Sequence, residues 1–152
     1  MKLFITEFAE SKKEIERELS RHTSVIMEHL EKLVFMPKHN AVNHWEGEIY
    51  GQLCKINKLS GKNKYPSARQ IYDWTWGKWG DTISLPYIRK TIKALEQEYN
   101  YKSTLTEKDF LNKLQFVGDT YFKWLSKELS ESGRVTTYEV YEILDKLIEE
   151  EH

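Results

Sequence analysis

Apolar residues recur at every third or fourth position along nearly the whole chain, and no stretch sustains the alternation typical of a β-strand. Such spacing places the apolar side chains on one stripe of an α-helix. Six stretches carry the pattern, and the first contains Ile15, Leu19, Ile26, Leu30 and Leu33. The pattern therefore predicts about six helices and no sheet.

Residues that begin or end helices separate these six stretches. A Ser or Thr before an apolar stretch can accept hydrogen bonds from the first free N–H groups of a helix. A proline disfavours helical backbone in the residue before it, and glycine is common where a helix stops. The predicted N-caps are Ser67, Ser84, Thr106 and Thr136, and the predicted ends lie at Pro37, Gly61, Gly77 to Gly80, and Gly133.

The stripes together define one candidate core. We expect a single all-α domain over residues 1–152, with bundle-like or orthogonal packing of about six helices. Alternatively, residues 104–152 form an acidic helical hairpin of their own. The predicted core comprises Ile15, Leu19, Ile26, Leu30, Leu33, Trp45, Ile49, Leu53, Ile56, Ile71, Ile88, Ile92, Leu95, Leu114, Val117, Tyr121, Ile143 and Leu147. Gly47 and Gly51 share one helix face and predict close packing of another backbone there.

Composition narrows the class of protein. The chain has 152 residues, enough to bury one core, and a charged fraction of 31%. No apolar run approaches the 18 residues of a membrane span, and polar residues interrupt the start of the chain before a signal-peptide core can form. The single cysteine, Cys54, excludes an internal disulfide and fits a reducing compartment. We therefore expect a cytoplasmic protein without a membrane partner.

The small net charge of −1 conceals a separation of charge along the chain. Residues 36–102 carry a net charge of +5, whereas residues 103–152 carry −5. Segments of opposite sign either pair with each other inside the fold or present two faces to different partners.

Residues 53–93 are unusual because they combine nine basic residues and two acids with several Trp and Tyr residues. Basic side chains neutralise phosphates, and aromatic rings stack on exposed bases. The segment therefore predicts a small non-catalytic protein that contacts DNA or RNA. The candidate contact residues are Lys62, Lys64, Arg69, Tyr87, Arg89, Lys90 and Lys93.

Residues 66–98 carry a second feature of nucleic-acid-binding proteins. The stretch PSARQIYD, a turn, and SLPYIRKTIKALEQE follow one another like the two helices of a helix-turn-helix. The pattern resembles that of winged-helix repressors, and the resemblance implies that Tyr87, Arg89, Lys90 and Lys93 face the major groove or its phosphates. Two departures are a longer turn, WTWGKWGDTI, and a helix starting after Thr106 where the wing would follow.

A different class of function is docking on another protein. Trp76 and Trp79 lie in a glycine-flanked turn, where full burial of a large ring is difficult, so both are candidate anchors. The acidic last helices offer a second surface for this purpose. This alternative is a helical adaptor or inhibitor.

The sequence contains little that indicates an enzyme. No phosphate-binding glycine loop, nucleophile elbow or paired-cysteine signature is present, and Glu46 and Glu48 are expected to be solvated helix residues. A third hypothesis, a metal-assisted hydrolase, would use His29, His39, His44 and Glu48, but their spacing is not typical of metal ligands. We therefore assign no catalytic residue, metal site or cofactor.

Residues 11–75 resemble a known family. The order of HLEKLVFMP, HWEGEIYGQLCKINKL and YPSARQIY is similar to that in the bacterial domain-of-unknown-function family twenty-nine. The matching positions are His29, Leu30, Lys32, Leu33, Pro37, Trp45, Ile49, Gln52, Ile56, Pro66 and Ser67. The acidic-aromatic first helix is missing, the loop before Pro66 is longer, and no match continues after residue 80. The resemblance implies an all-helical fold and supplies no activity.

Overall fold

Five helices make up most of the described chain. The structure, a computed structural model, describes residues 2–61, 70, 72, 73, 76, 80, 83–131 and 134–149. The helices are α1 (Lys2–Phe35), α2 (Val42–Gly61), α3 (Leu85–Tyr99), α4 (Glu107–Glu131) and α5 (Thr137–Glu149). No strand occurs within these ranges, which confirms the all-α prediction. None of the described helices is both long enough and apolar enough to cross a membrane.

The further helix predicted to begin at Ser67 falls largely outside the described residues. Gln70, Tyr72, Asp73, Trp76 and Gly80, which are described, all have helical backbone. The predicted break between Gly77 and Gly80 is therefore wrong at Gly80. Only residues 81–84 separate Gly80 from the start of α3.

Local signals fix the helix ends where the sequence predicts them. Helix α1 ends at Phe35, two residues before Pro37. Thr106 caps α4 by accepting a hydrogen bond from the Asp109 N–H at 3.1 Å. At the start of α5, the N–H of Thr136 donates to Oε2 of Glu139 at 2.9 Å, and the Glu139 N–H donates back to Thr136 Oγ1 at 3.4 Å. This exchange is a capping box, which satisfies otherwise free N–H groups.

The helices share one apolar core. A short connection over residues 36–41 joins α1 to α2, and these two helices pack along each other. Helix α4 packs against α1, α3 and α5, and α5 also contacts α2. Most predicted core residues are buried, while Ile15, Ile92 and Ile143 lie half-buried at its edge. Ile71 lies outside the described residues. Because α5 joins the same core, the last two helices pack with the rest of the molecule.

Trp76 is buried against α4 and is not a surface anchor. Its side chain is only 7% exposed, and its ring lies almost parallel to that of Phe122, with 6.5 Å between the ring centroids. Gly118 lies beside the ring, and a side chain there would overlap it. The expectation that Trp76 stays accessible is therefore wrong, because the missing side chain of Gly118 makes room for it. Trp79 lies outside the described residues.

The glycines of α2 do not mark a close approach of another backbone. A Cβ atom added at Gly51 would meet nothing within 4 Å, and one at Gly47 would lie 3.5 Å from the Tyr141 hydroxyl, an ordinary contact. The close approach predicted for this helix occurs on α4 instead, at Gly118.

We expect the substitution Gly118→Ala to destabilise the protein by about 1–3 kcal/mol, because the added methyl group forces the Trp76 ring or the helix to move. The matched control, Gly51→Ala, removes a helical glycine with open space around it and should stabilise by up to about 1 kcal/mol. Urea denaturation of both variants measures the difference. Equal effects at the two positions would contradict the packing described for Trp76.

Candidate functional site

Three of the predicted contact residues lie on one exposed face of α3. Arg89, Lys90 and Lys93 are all exposed, whereas Ile88 and Leu95 of the same helix are buried. Since successive helical residues are about 100° apart, the three basic side chains fall within an arc of about 100°, roughly opposite the buried pair. We call Arg89, Lys90 and Lys93 the basic face.

Local chemistry fixes the two ends of α3. Ser84 has extended backbone and its hydroxyl accepts from the Tyr87 N–H at 3.4 Å, while Pro86 occupies the first turn, where a missing N–H costs nothing. Asn100 adopts the left-handed conformation at the other end, with φ of 49°. Helix α4 follows directly after residues 100–106, so the described chain places a helix where a winged-helix protein has its wing.

One member of the basic face is paired with an acid. Arg89 Nε donates to Glu107 Oε2 at 2.8 Å, and both side chains are about half exposed. Lys90 and Lys93 form no ion pair with a carboxylate in the described part of the chain. An exposed ion pair contributes roughly 0–1 kcal/mol, so Glu107 holds Arg89 only weakly.

The Tyr87 hydroxyl contacts the interior and does not extend into solvent. It donates a hydrogen bond to Oε1 of Glu31 on α1, although the residue as a whole is 37% exposed. Burial raises the pKa of Glu31 to about 7, against the opposing effect of the Tyr87 hydrogen bond. The hydroxyl therefore joins α3 to α1, and a contact between the exposed part of Tyr87 and a ligand stays a prediction.

The remaining predicted contact residues, Lys62, Lys64 and Arg69, lie outside the described residues. Their position relative to the basic face is therefore an expectation from the sequence only.

The histidines of the metal hypothesis do not converge. His29 Nδ1 lies 2.7 Å from the carbonyl oxygen of Val25, one turn earlier in α1. His39 stacks on the Trp45 ring, with 5.1 Å between the ring centroids. His44 lies at the surface, 3.8 Å from Glu48 in the same helix. Within the described residues, no group of three or more His, Cys, Asp or Glu side chains is placed to hold a metal ion.

A buried carboxyl group, that of Glu46, contacts an exposed one, that of Asp145, and the sequence did not indicate this pair. Glu46 on α2 is only 3% exposed and shares a hydrogen bond with Asp145 on α5. Burial, together with the hydrogen bond to Asp145 and its negative charge, raises the pKa of Glu46 to about 8. The expectation that Glu46 is a solvated helix residue is wrong. Its neighbour Glu48 is exposed, as expected.

No family model matches the chain, and searches of curated proteins and of solved structures find no match either. The resemblance to family twenty-nine and the helix-turn-helix-like pattern therefore stay predictions.

We expect Glu31→Gln to gain stability relative to the parent protein as pH rises. The pKa of Glu31 is about 7 in the folded protein and near 4.5 when unfolded, so the folded state binds this proton more tightly. Raising the pH from 5 to 8 removes the proton and destabilises the fold, whereas Gln cannot ionise. Urea denaturation should give Glu31→Gln an advantage at pH 8 over pH 5 of roughly 2 kcal/mol.

Glu14→Gln is the matched control, because Glu14 is an exposed carboxylate on the same helix. Its effect on the unfolding free energy should be the same at both pH values. A Glu31→Gln effect that also stays constant would contradict the burial of Glu31.

Proposed function

We propose that this protein is a small non-catalytic binding protein that contacts DNA or RNA through α3 and the basic segment before it. The single observation that carries the proposal is the basic face. Arg89, Lys90 and Lys93 extend from the side of α3 that faces away from the core, and two of the three have no acidic partner in the described chain.

The arrangement around α3 suits contact with a polyanion. A helix that is capped at both ends and packed on α4 presents its basic side chains at fixed spacing, which lowers the entropy lost on binding. Gly80, five residues before Leu85, has helical backbone, and a turn that starts after it is shorter than the stretch WTWGKWGDTI, which departs most from the helix-turn-helix pattern. Both observations support α3 as the contacting helix.

The basic residues have different roles in this proposal. Lys90 and Lys93 act as point charges that neutralise phosphates. Arg89 contributes less in the free protein, because part of its charge is offset by Glu107 at 2.8 Å.

The basic segment before α3 supplies further contacts. In this proposal Lys62, Lys64 and Arg69 extend the contact along the nucleic-acid backbone. The Tyr87 hydroxyl helps to position α3 through Glu31, and the exposed part of this residue adds to the contact surface.

We expect the double variant Lys90→Gln/Lys93→Gln to bind random-sequence duplex DNA, single-stranded DNA or RNA more weakly than the parent. Each lost phosphate contact lowers the slope of log affinity against log salt concentration by about 0.9 for duplex DNA. The magnitude of this slope should therefore be smaller by up to about 2 in the double variant than in the parent. Fluorescence anisotropy over a range of salt concentrations measures it.

Two further variants sharpen this experiment. Lys127→Gln removes an exposed lysine from α4, away from the basic face, and should leave the slope unchanged. Glu107→Gln releases Arg89 and should strengthen binding. Affinity in the double variant equal to that of the parent, or no binding of any nucleic acid by the parent, would contradict the proposal.

The alternative of docking on another protein is favoured by one observation on α5. Tyr138 is 74% exposed, and Glu142, Asp145 and Glu149 extend along the same helix beside an open groove of about 750 Å³. A largely exposed tyrosine on an acidic face suits a basic protein partner. A partner that is lost in Tyr138→Ser but retained in the Lys90→Gln/Lys93→Gln variant would support this function over nucleic-acid binding.

A further inference from the structure

Helix α5 is held against the molecule by three buried apolar side chains and by Tyr141, Ile143 and Ile148, which are partly buried. It has 13 residues, and Val140, Leu144 and Leu147 are its buried apolar side chains. A helix of this length is only marginally stable by itself in water, so its stability depends on docking against α2 and α4. Any change in a contact at the interface of α2 and α5 therefore acts on the whole helix.

The polar contact at this interface joins two acids. Glu46 of α2 and Asp145 of α5 share a hydrogen bond, and Glu46 is almost completely buried, whereas Asp145 is exposed. Two ionised carboxylates have acceptors only, so the hydrogen bond exists only while one of them carries a proton. When both are ionised, like charges face each other at short range and repel.

A cavity of about 480 Å³ lies beside the pair, between the end of α1, the start of α2, α4 and α5. Its charged groups are Lys38 from the connection after α1, Lys113 from α4, and Glu149 with Asp145 from α5.

The Lys113 ammonium group donates to the carbonyl oxygen of Ile148 at 2.6 Å, which satisfies a free carbonyl near the end of α5. The Tyr141 hydroxyl of α5 approaches Gly47, next to Glu46. Lys113 therefore already has a partner on α5.

We propose that the shared proton between Glu46 and Asp145 is a pH-sensitive latch that docks α5 on α2, and that loss of this proton releases the helix. Release breaks the carboxyl hydrogen bond and sends the proton to solvent. It exposes the apolar side of α5 and the surface of α2 and α4 beneath it. The remaining core, formed by α1, α2, α3 and α4, stays folded.

The direction of the pH effect follows from proton binding. The docked state holds one proton between the two acids, and the undocked state releases it because Glu46 is then solvated and separated from Asp145. Undocking therefore becomes more favourable as pH rises. The effect begins above the ordinary pKa of a glutamate, 4.5, and levels off near 8, the pKa of Glu46 in the docked protein.

Hydrogen exchange of the full chain, followed by mass spectrometry or NMR between pH 5 and 9, tests the latch. After correction for the intrinsic rate, protection of the α5 amides in the parent should fall by up to about tenfold per pH unit between pH 5 and 8. It should stay constant above that range. In Glu46→Gln the amide can donate to the Asp145 carboxylate without a proton, so protection of α5 should not change with pH.

Three control variants separate the latch from other titrations. Asp145→Asn removes one negative charge and provides an amide that can donate to an ionised Glu46, but it leaves Glu46 buried. It should therefore weaken the pH dependence without removing it, and it tests the pair should Glu46→Gln fail to fold. Glu48→Gln removes an exposed acid from the same helix and should behave as the parent. Glu31→Gln changes global unfolding over an overlapping pH range and should leave the α5 response in place.

Either of two results would overturn the proposal. One is α5 protection in the parent that stays constant between pH 5 and 8. The other is a pH-dependent loss of protection that is as steep in Glu46→Gln and Asp145→Asn as in the parent.

Discussion

The apolar side chains of α4 need cover on more than one side, and this requirement determines where the other elements lie. Its fully buried positions are Phe110, Leu114, Val117, Tyr121, Phe122 and Leu125. At about 100° per residue, these positions span roughly 140° of the helix surface, too wide an arc for a single neighbouring helix to cover. Helices α1, α3 and α5 all pack on α4, and Trp76 fills the space beside Gly118.

The outer helices are joined to this core by contacts that involve buried carboxyl groups. Glu31 meets Tyr87 between α1 and α3, and Glu46 meets Asp145 between α2 and α5. Burying a carboxyl group is tolerable when it has a hydrogen-bond partner and carries a proton, and costly when it is ionised. The Tyr87 hydroxyl can donate to Glu31 in either protonation state, whereas the contact on α5 needs a proton on one of its two acids. We therefore expect pH to act more directly on the docking of α5 than on that of α3. The fully buried positions of α4 carry no carboxyl group.

The sequence predicts those features of the fold that depend on neighbouring residues. Pro37, Thr106, and the pair Thr136 and Glu139 act within one helical turn, so the helix ends they predict are the ends observed. The stripe of Ile88 and Leu95 likewise shows that Arg89, Lys90 and Lys93 lie on the outer side of α3. Local spacing was sufficient for these features.

Features that depend on distant residues could not be predicted in this way. Trp76 is buried because Gly118 leaves a gap, and no pattern near residue 76 indicates a glycine 42 positions later. Glu46 lies three residues before Ile49 and seven before Leu53, so helical spacing places it on the apolar stripe and Glu48 on the opposite side. Its partner Asp145, 99 residues away, could not be predicted from neighbouring residues. One signal was available for Tyr87: its position one residue before the buried Ile88 leaves it near the edge of the core, where a hydroxyl often finds a polar partner.

The net negative charge of residues 103–152 does not necessarily neutralise the positive charge of the basic face. Charges separated by more than about 10 Å are largely screened at an ionic strength of 0.1 M, so the nearest acids matter more than the net charge of the whole chain. The acid that pairs with the basic face is Glu107, the first residue of α4, and Arg89 of α3 contacts it through Nε alone. A guanidinium group has further donors on its two terminal nitrogens, and these can bind a phosphate oxygen while Nε keeps its carboxylate. Glu107 therefore offsets part of the Arg89 charge without occupying the donors that a phosphate needs.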